Sequence, residues 1–240
     1  MLIACWSVKG GAGTTVVAAA LAVTLGRLGP PVLLADLAGD LPAALGLPDP
    51  PAPGLADWLA AGPDLPRESL ARLEVDAGPN VRLLPWCGGA HGAREGDGER
   101  LAALLAERPV VVADCGTSPA GPALALAAAA DRSLLVIRPC YLAVRRAAAA
   151  PYRPSAVVLV SEAGRSLGRA DIEDVLGVPV VADVPWDGSI ARAPAPRSAA
   201  LIVEKYPYLN GDAGWVLHPE SHHGLAGITY TKRTTSSIMY

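Results

Sequence analysis

A glycine-rich stretch near the amino terminus carries residue types that bind phosphate. The segment from Ser7 to Thr15 reads SVKGGAGTT and directly follows the apolar run MLIACW. Glycines let backbone N–H groups approach an anion closely, and the two threonines open an apolar helix whose N-terminus also attracts negative charge. The stretch therefore predicts an anion site, and its candidate nucleotide-binding residues are Gly10, Gly11, Ala12, Gly13, Thr14 and Thr15.

This loop departs at two positions from the pattern G-x-x-x-x-G-K-[ST]. Thr14 stands where the pattern has lysine, and Val8 stands where it has glycine. Thr15 keeps the final position, from which a hydroxyl can join the coordination of Mg²⁺ held by phosphate oxygens. A glycine cluster alone fits a simple tight turn equally well, so a second element is needed.

That second element is a carboxylate at the end of another apolar run. The segment RPVVVADCGT places Asp114 after buried residues, and Gly116 follows where we expect the chain to turn past a phosphate. Asp114 could merely cap a turn, but the glycine loop upstream favours a carboxylate of a magnesium site. Thr15 and Asp114 are therefore the candidate metal residues, with Mg²⁺ held through a nucleotide.

The segment VKGGAGTT resembles the deviant Walker A loop, K-G-G-x-G-K-[ST], of the MinD/ParA family of dimerising P-loop ATPases. Its G-T-T ending is similar to the CpaE/TadZ branch, which is linked to placing pilus and secretion machinery. The resemblance extends from about Met1 to Arg197 and implies ATP and Mg²⁺ as cofactors. It also implies that Lys9 reaches across a homodimer interface to the partner's phosphates, and that Asp114 is the Walker B aspartate.

A second departure from the family concerns the segment after the second strand. The family usually has D-x-D there, whose last carboxylate helps to organise the attacking water, whereas ADLAGDL has Asp36, Leu37 and Ala38. Asp36 and Asp40 remain the candidate catalytic residues, although Asp40 is out of register. Because each positioned charge typically contributes roughly 10²- to 10³-fold in rate, losing two predicts weak or absent hydrolysis.

The elements that position these residues form a repeating pattern of strands and helices. The apolar runs are continuous rather than alternating, which is typical of parallel strands covered on both faces. The sequence thus predicts an α/β fold with a mainly parallel sheet and helices on both faces, the Rossmann-like three-layer arrangement of P-loop NTPases. Strands are predicted at 2–7, 31–36, 81–86, 109–114, 133–138, 156–160 and 178–184, and helices at 14–28, 99–107, 122–130 and 141–150.

Composition bounds the domain organisation. With 240 residues, 51% of them hydrophobic and 18% charged, the chain fits one globular domain, predicted at residues 1–200. Residues 201–240 have a different composition and are predicted to be a loosely ordered tail without part of the site. No leader or transmembrane segment is recognised, and four cysteines without C-x-x-C spacing predict reduced thiols in a cytoplasmic protein.

Other residues could in principle bind DNA or a metal, but their sequence context favours ordinary surface roles. Arg145, Arg146 and Arg153 could form a DNA-binding patch, but the absence of interleaved aromatics and a net charge of −3 favour a solvated face. The segment HPESHH has metal-ligand residue types but no predicted element that would hold them in place.

Three function classes stay open: a nucleotide-dependent dimer switch that acts with a partner of a positioning or secretion system, a nucleotide-free scaffold, and a P-loop small-molecule ligase.

Overall fold

The computed structural model describes residues 1–88 and 94–188, together with residues 216–217 and 228–229. Within these ranges the chain forms an eight-stranded sheet and a separate two-stranded pair. The strands are β1 (Leu2–Ser7), β2 (Val32–Asp36), β3 (Val75–Gly78), β4 (Val81–Leu84), β5 (Val110–Thr117), β6 (Arg132–Ile137), β7 (Ala156–Ser161), β8 (Val180–Pro185), β9 (Val216–Leu217) and β10 (Ile228–Thr229). The helices are α1 (Thr14–Arg27), α2 (Leu41–Leu45), α3 (Leu55–Ala61), α4 (Asp97–Ala106), α5 (Pro122–Ala129), α6 (Tyr141–Ala148) and α7 (Arg169–Leu176), with a 3₁₀ helix at Arg67–Leu73.

The large sheet has the strand order β3-β4-β2-β5-β1-β6-β7-β8. All its neighbouring strands run parallel except the edge pair β3 and β4, which is antiparallel. The predicted α/β fold with a mainly parallel sheet is therefore confirmed. Strand β1 lies between β5 and β6, so connections leave the sheet centre in opposite directions, and ligands of such sheets gather at the carboxyl ends of these strands.

Helices cover the sheet on both faces and enclose two apolar clusters. One cluster lies under α1, where Ala18, Ala19 and Ala22 are completely buried against the sheet. The other cluster lies under α3 to α7 and includes the fully buried Trp6. Small side chains on α1 let the helix lie close to the sheet, so the loop that precedes α1 is held at the carboxyl end of β1.

Several boundaries differ from those predicted. Strand β4 ends at Leu84, before Pro85, which cannot donate a ladder hydrogen bond. Strand β5 runs on to Thr117 instead of turning after Asp114, and Gly116 accommodates this path with a φ of 67°. Elements β3, α2, α3 and α7 were not predicted. Most of the tail after residue 200 lies outside the described residues, so its predicted looseness stays a prediction.

Candidate functional site

The glycine loop connects β1 to α1 through two left-handed residues. Gly11 has a φ of 75° and Gly13 a φ of 92°, a region that L side chains rarely adopt. No atom lies within 4 Å of a Cβ built at Gly10, Gly11 or Gly13. The backbone conformation therefore requires glycine at positions 11 and 13, and the space around the loop is open for a ligand.

Helix α1 presents an uncapped N-terminus at this loop. Gly13 is the N-cap residue and no side chain caps the first N–H groups; the first turn carries no acidic residue. Thr14 is buried at the first helical position, and Thr15 beside it is partly exposed. The free N–H groups and the helix dipole together make this end of α1 suitable for an anion.

Asp114 lies at the sheet centre, in register with Cys5 of β1 and with Asp36 of β2. It is completely buried; Oδ1 accepts the Gly116 N–H at 3.0 Å, while Oδ2 has no hydrogen-bond partner among the described residues. Burial raises the pKa of Asp114 to about 6, with the Thr15 side chain and the Gly116 N–H acting in the opposite direction. A buried, unpartnered carboxylate oxygen beside a threonine is a suitable ligand for a cation.

Asp36, one of the two candidate catalytic residues, accepts hydrogen bonds within its own loop. Its Oδ1 accepts the N–H groups of Ala38 at 3.0 Å and Gly39 at 2.7 Å, and its Oδ2 accepts that of Leu41 at 3.2 Å. Burial raises the pKa of Asp36, and these N–H groups counteract the rise. These three hydrogen bonds organise the loop after β2 around the Asp36 carboxylate.

Asp40 is exposed and lies at the N-terminus of α2. Together with the glycine loop and with the segment after β5, the segment after β2 forms a cleft of about 780 Å³, within the size range of small-molecule sites. Among the described residues that line this cleft, Asp40 is the only charged one. The cleft brings together most of the predicted site residues, namely Gly10, Gly11, Ala12, Gly13, Thr14, Thr15, Asp40 and Gly116.

Lys9 is exposed and does not line the cleft of its own chain. The N–H groups of Ala143 and Leu142 lower the pKa of Cys140, and the Lys9 ammonium acts on it in the same direction. The charge of Lys9 therefore acts on Cys140, the residue before α6. The Lys9 side chain is free of ion pairs within the described part of the chain.

The sequence did not indicate one wall of the cleft. Thr117 at the end of β5 forms this wall together with Ser118 and Pro119, which follow the strand. Ser118 has a φ of 50° and donates its N–H to the Ser7 carbonyl at 2.7 Å, while the hydroxyls of Ser7 and Thr117 lie 3.1 Å apart. The signal that could have found this wall is the run GTS, which directly follows the buried residues of β5.

The structure describes all three arginines of the candidate DNA-binding patch. Arg145 and Arg146 are exposed on α6, whereas Arg153 donates to the Leu176 carbonyl at 3.4 Å. All four cysteines are free. In the described part of the chain, no helix is long and apolar enough to span a membrane.

A glycine loop between the central strand and an uncapped helix, facing a buried aspartate, defines a nucleotide-binding fold of the P-loop class. A sequence model of the CobQ/CobB/MinD/ParA nucleotide binding domain matches residues 3–199. The chain belongs to this family. Among curated proteins, none matches the chain.

Solved structures support the same fold. The ParA family ATPase from Chlorobium tepidum TLS superposes with a TM-score of 0.66 at 21% identity, over 86% of this chain and 91% of that one. A chain of the MinC:MinD cell division protein complex from Aquifex aeolicus superposes with a TM-score of 0.68 at 22% identity, over 86% of this chain and 89% of that one. The septum site-determining protein MinD with Mg-ADP from Pyrococcus horikoshii OT3 superposes with a TM-score of 0.60 at 21% identity, over 88% of this chain and 97% of that one.

Proposed function

We propose that this protein is an ATP- and Mg²⁺-dependent dimer switch that positions or regulates cellular machinery in the cytoplasm, with weak or absent hydrolysis. The observation that carries the proposal is the buried Asp114 Oδ2, unpartnered in the described structure, beside Thr15 at the open N-terminus of α1. Oxygen ligands of this type hold Mg²⁺. Thr15 and Asp114 would hold the metal, and the loop N–H groups would hold the phosphates.

Dimerisation is supported by the position of Lys9. Lys9 is an exposed cation in the loop and does not line its own cleft, so it would be available to act on a second protomer. The loop sequence KGGAGTT, with its deviant Walker A character and CpaE-like ending, agrees with this role. The partner of the switch would then be a component of a septum, chromosome, pilus or secretion apparatus.

Weak hydrolysis follows from two uncharged positions in the cleft. Thr14 cannot supply a lysine contact to the terminal phosphate, and Ala38 has no carboxylate to orient water. In single-turnover assays with Mg²⁺-ATP, we expect little cleavage over the time in which nucleotide stays bound, because each missing contact costs roughly 10²- to 10³-fold. Cleavage as fast as in family members that retain both residues would contradict this assignment.

Titration of fluorescent ATP in the presence of Mg²⁺ tests the switch against the alternatives. Saturable binding supports the switch, whereas its absence favours a nucleotide-free scaffold of the same fold. A small-molecule ligase is the less favoured alternative, because the phosphate lysine that such catalysis uses is Thr14 here. An Asp114→Ala variant, which removes the metal carboxylate, should lose the Mg²⁺-dependent part of the binding.

A further inference from the structure

We propose that a second cavity, beside the nucleotide cleft, binds a small carboxylic acid with an apolar body, and that Arg146 holds its carboxylate. The cavity has a volume of about 310 Å³, at the lower end of the range for small-molecule sites. It lies between Val8 in the loop after β1, Pro119 after β5, and residues 149–152 after α6. This site is separate from the nucleotide cleft, and the proposal does not depend on nucleotide binding.

The charge of the cavity comes from one side chain. Among the described residues that line it, Arg146 is the only charged one. Arg146 is exposed on α6, and its guanidinium forms no ion pair with another described residue. Tyr152 adds no negative charge, because burial raises the pKa of its hydroxyl. The cavity thus contains an unpaired cation, and a planar guanidinium matches a carboxylate in a bidentate geometry.

The other walls are mostly apolar and are held in place by the core. The Tyr152 ring packs on the buried Trp6 ring, with their centroids 4.5 Å apart. Trp6 is itself anchored, because its Nε1 donates to Ser133 Oγ at 2.9 Å. Pro119 and Pro151 have a backbone torsion that their rings restrict. An apolar ligand body therefore meets a largely preformed surface, so binding requires little ordering of the protein.

The size of the cavity favours a small molecule over a segment of another protein. Ala149 and Ala150 line it, and their short side chains leave its volume open. Ala149 is exposed, so a ligand can enter from solvent. A partner helix would need a longer groove with several anchor positions, whereas a single ring or a short branched chain fits a cavity of this volume.

One short segment separates this cavity from the nucleotide cleft. Ser118 and Pro119 line both spaces, and the Ser118 N–H donates to the Ser7 carbonyl at 2.7 Å. The two spaces would attract an anion in different ways. The cleft offers backbone N–H groups and no lysine or arginine among its described lining residues, whereas the cavity offers the guanidinium of Arg146. Substitution of Arg146 therefore distinguishes binding in the cavity from binding at the glycine loop.

The test is an NMR titration of the full-length, nucleotide-free protein with phenylacetate, with phenylacetamide as the uncharged ligand of similar shape. We expect saturable binding of phenylacetate with a dissociation constant of about 1 mM or below. Phenylacetamide should bind about fivefold more weakly, and Arg146→Gln should weaken phenylacetate by the same factor. Arg145→Gln changes an exposed neighbour that does not line the cavity and should keep the wild-type affinity.

A second pair of variants tests the cavity itself. Ala149→Leu places a larger side chain at the cavity and should weaken the binding of both ligands, while an unchanged thermal midpoint shows that the fold is intact. Ala148→Leu is the matched control, because Ala148 is also exposed but does not line the cavity. We expect this control to bind phenylacetate like the wild type.

The contrary results are equally specific. Equal affinity for phenylacetate and phenylacetamide, or an Arg146→Gln variant that binds like the wild type, would overturn the role of Arg146. The site itself would be overturned if phenylacetate shifted the amides of Gly11 and Gly13 instead of those of residues 149–152, or if it failed to bind at about 10 mM. Because these titrations contain no nucleotide, their failure leaves the proposed nucleotide switch unaffected.

Discussion

Asp114 is held in a state that costs folding stability. Its carboxylate is completely buried, one oxygen lacks a partner in the described structure, and burial raises its pKa to about 6. A group with this environment is expensive to keep charged at neutral pH unless a ligand compensates it. Such a cost at a cleft is typical of a residue retained for binding rather than for folding.

Replacing Asp114 with Asn should therefore stabilise the nucleotide-free protein near neutral pH. Because the folded-state pKa lies above the ordinary value of about 3.9, the penalty is absent at low pH, grows as pH rises through about 4 to 6, and is complete above that range. We expect a gain of roughly 1 to 3 kcal/mol at about pH 8 and a smaller gain at about pH 5.

Urea denaturation at the two pH values measures this gain. Asp64 is exposed, so Asp64→Asn serves as a control that makes the same substitution at the surface. We expect no comparable gain in the free energy of unfolding for this control. An Asp114→Asn variant that is less stable than the wild type would show that the carboxylate contributes to folding. A gain that is equal at both pH values would show that the gain does not come from the ionisation of Asp114.

The segment after β2 shows how one element depends on a single side chain. Three N–H groups of residues 38–41 converge on Asp36, and Gly39 takes a left-handed φ of 87° within the same turn. This turn starts α2 and holds Ala38 and Asp40 at the cleft. Asp36 is thus a positioning residue for one wall of the site.

Substituting Asp36 and Asp40 should separate the two aspartates. Asp36→Ala leaves up to three N–H groups without their acceptor, and we expect a loss of roughly 1 to 3 kcal/mol in the free energy of unfolding. Asp40→Ala removes an exposed side chain and should change stability by less than about 0.5 kcal/mol. Chemical denaturation of both variants checks this, and equal losses would contradict the roles assigned here.

At the element scale, the buried strands were predictable and the edge was not. Strands covered on both faces appear as continuous apolar runs, so β1, β2, β5, β6 and β7 could be located from sequence. Strand β3, with the sequence VDAG, is short and alternates between half-buried and exposed residues, so no apolar run marks it. The glycine loop and Asp114 were recognisable because each directly follows a buried strand.

The roles of individual polar groups could not be predicted in the same way. Nothing in ADLAGDL shows that Asp36 turns back to its own loop while Asp40 faces the cleft, because this depends on the path of the backbone between them. The segment VKGGAGTT likewise does not show by itself that Lys9 is exposed and lies outside the cleft of its own chain. These features arise from tertiary packing.

At the scale of the whole molecule, residues 201–240 should be dispensable for the folded domain. The family match ends at residue 199, and this segment differs in composition from the preceding chain. Ending the chain after residue 200 should leave the thermal midpoint and the affinity for Mg²⁺-ATP within error of the full-length values. A truncated protein that unfolds or loses nucleotide would place an essential element in this segment.

In the proposed function, dimerisation links the cleft to a switch. With Thr14 in place of lysine, the lysine contact to the terminal phosphate is missing from the protomer's own cleft, and Lys9 of a second protomer would supply it. A buried charge-assisted contact is typically worth roughly 1.5 to 3 kcal/mol, or about 10- to 150-fold in affinity. Nucleotide should therefore promote dimers through this one side chain.

Sedimentation velocity with and without Mg²⁺-ATP tests this claim most directly. We expect the wild-type protein to shift from monomer to dimer at saturating Mg²⁺-ATP. Lys9→Ala should weaken the dimer by about 10- to 150-fold for each of its two lysines, while the thermal midpoint stays unchanged. Arg72→Ala, which removes another exposed cation outside the cleft, should dimerise like the wild type. A wild-type protein that stays monomeric at saturating Mg²⁺-ATP, or a Lys9→Ala variant that dimerises equally well, would contradict the switch.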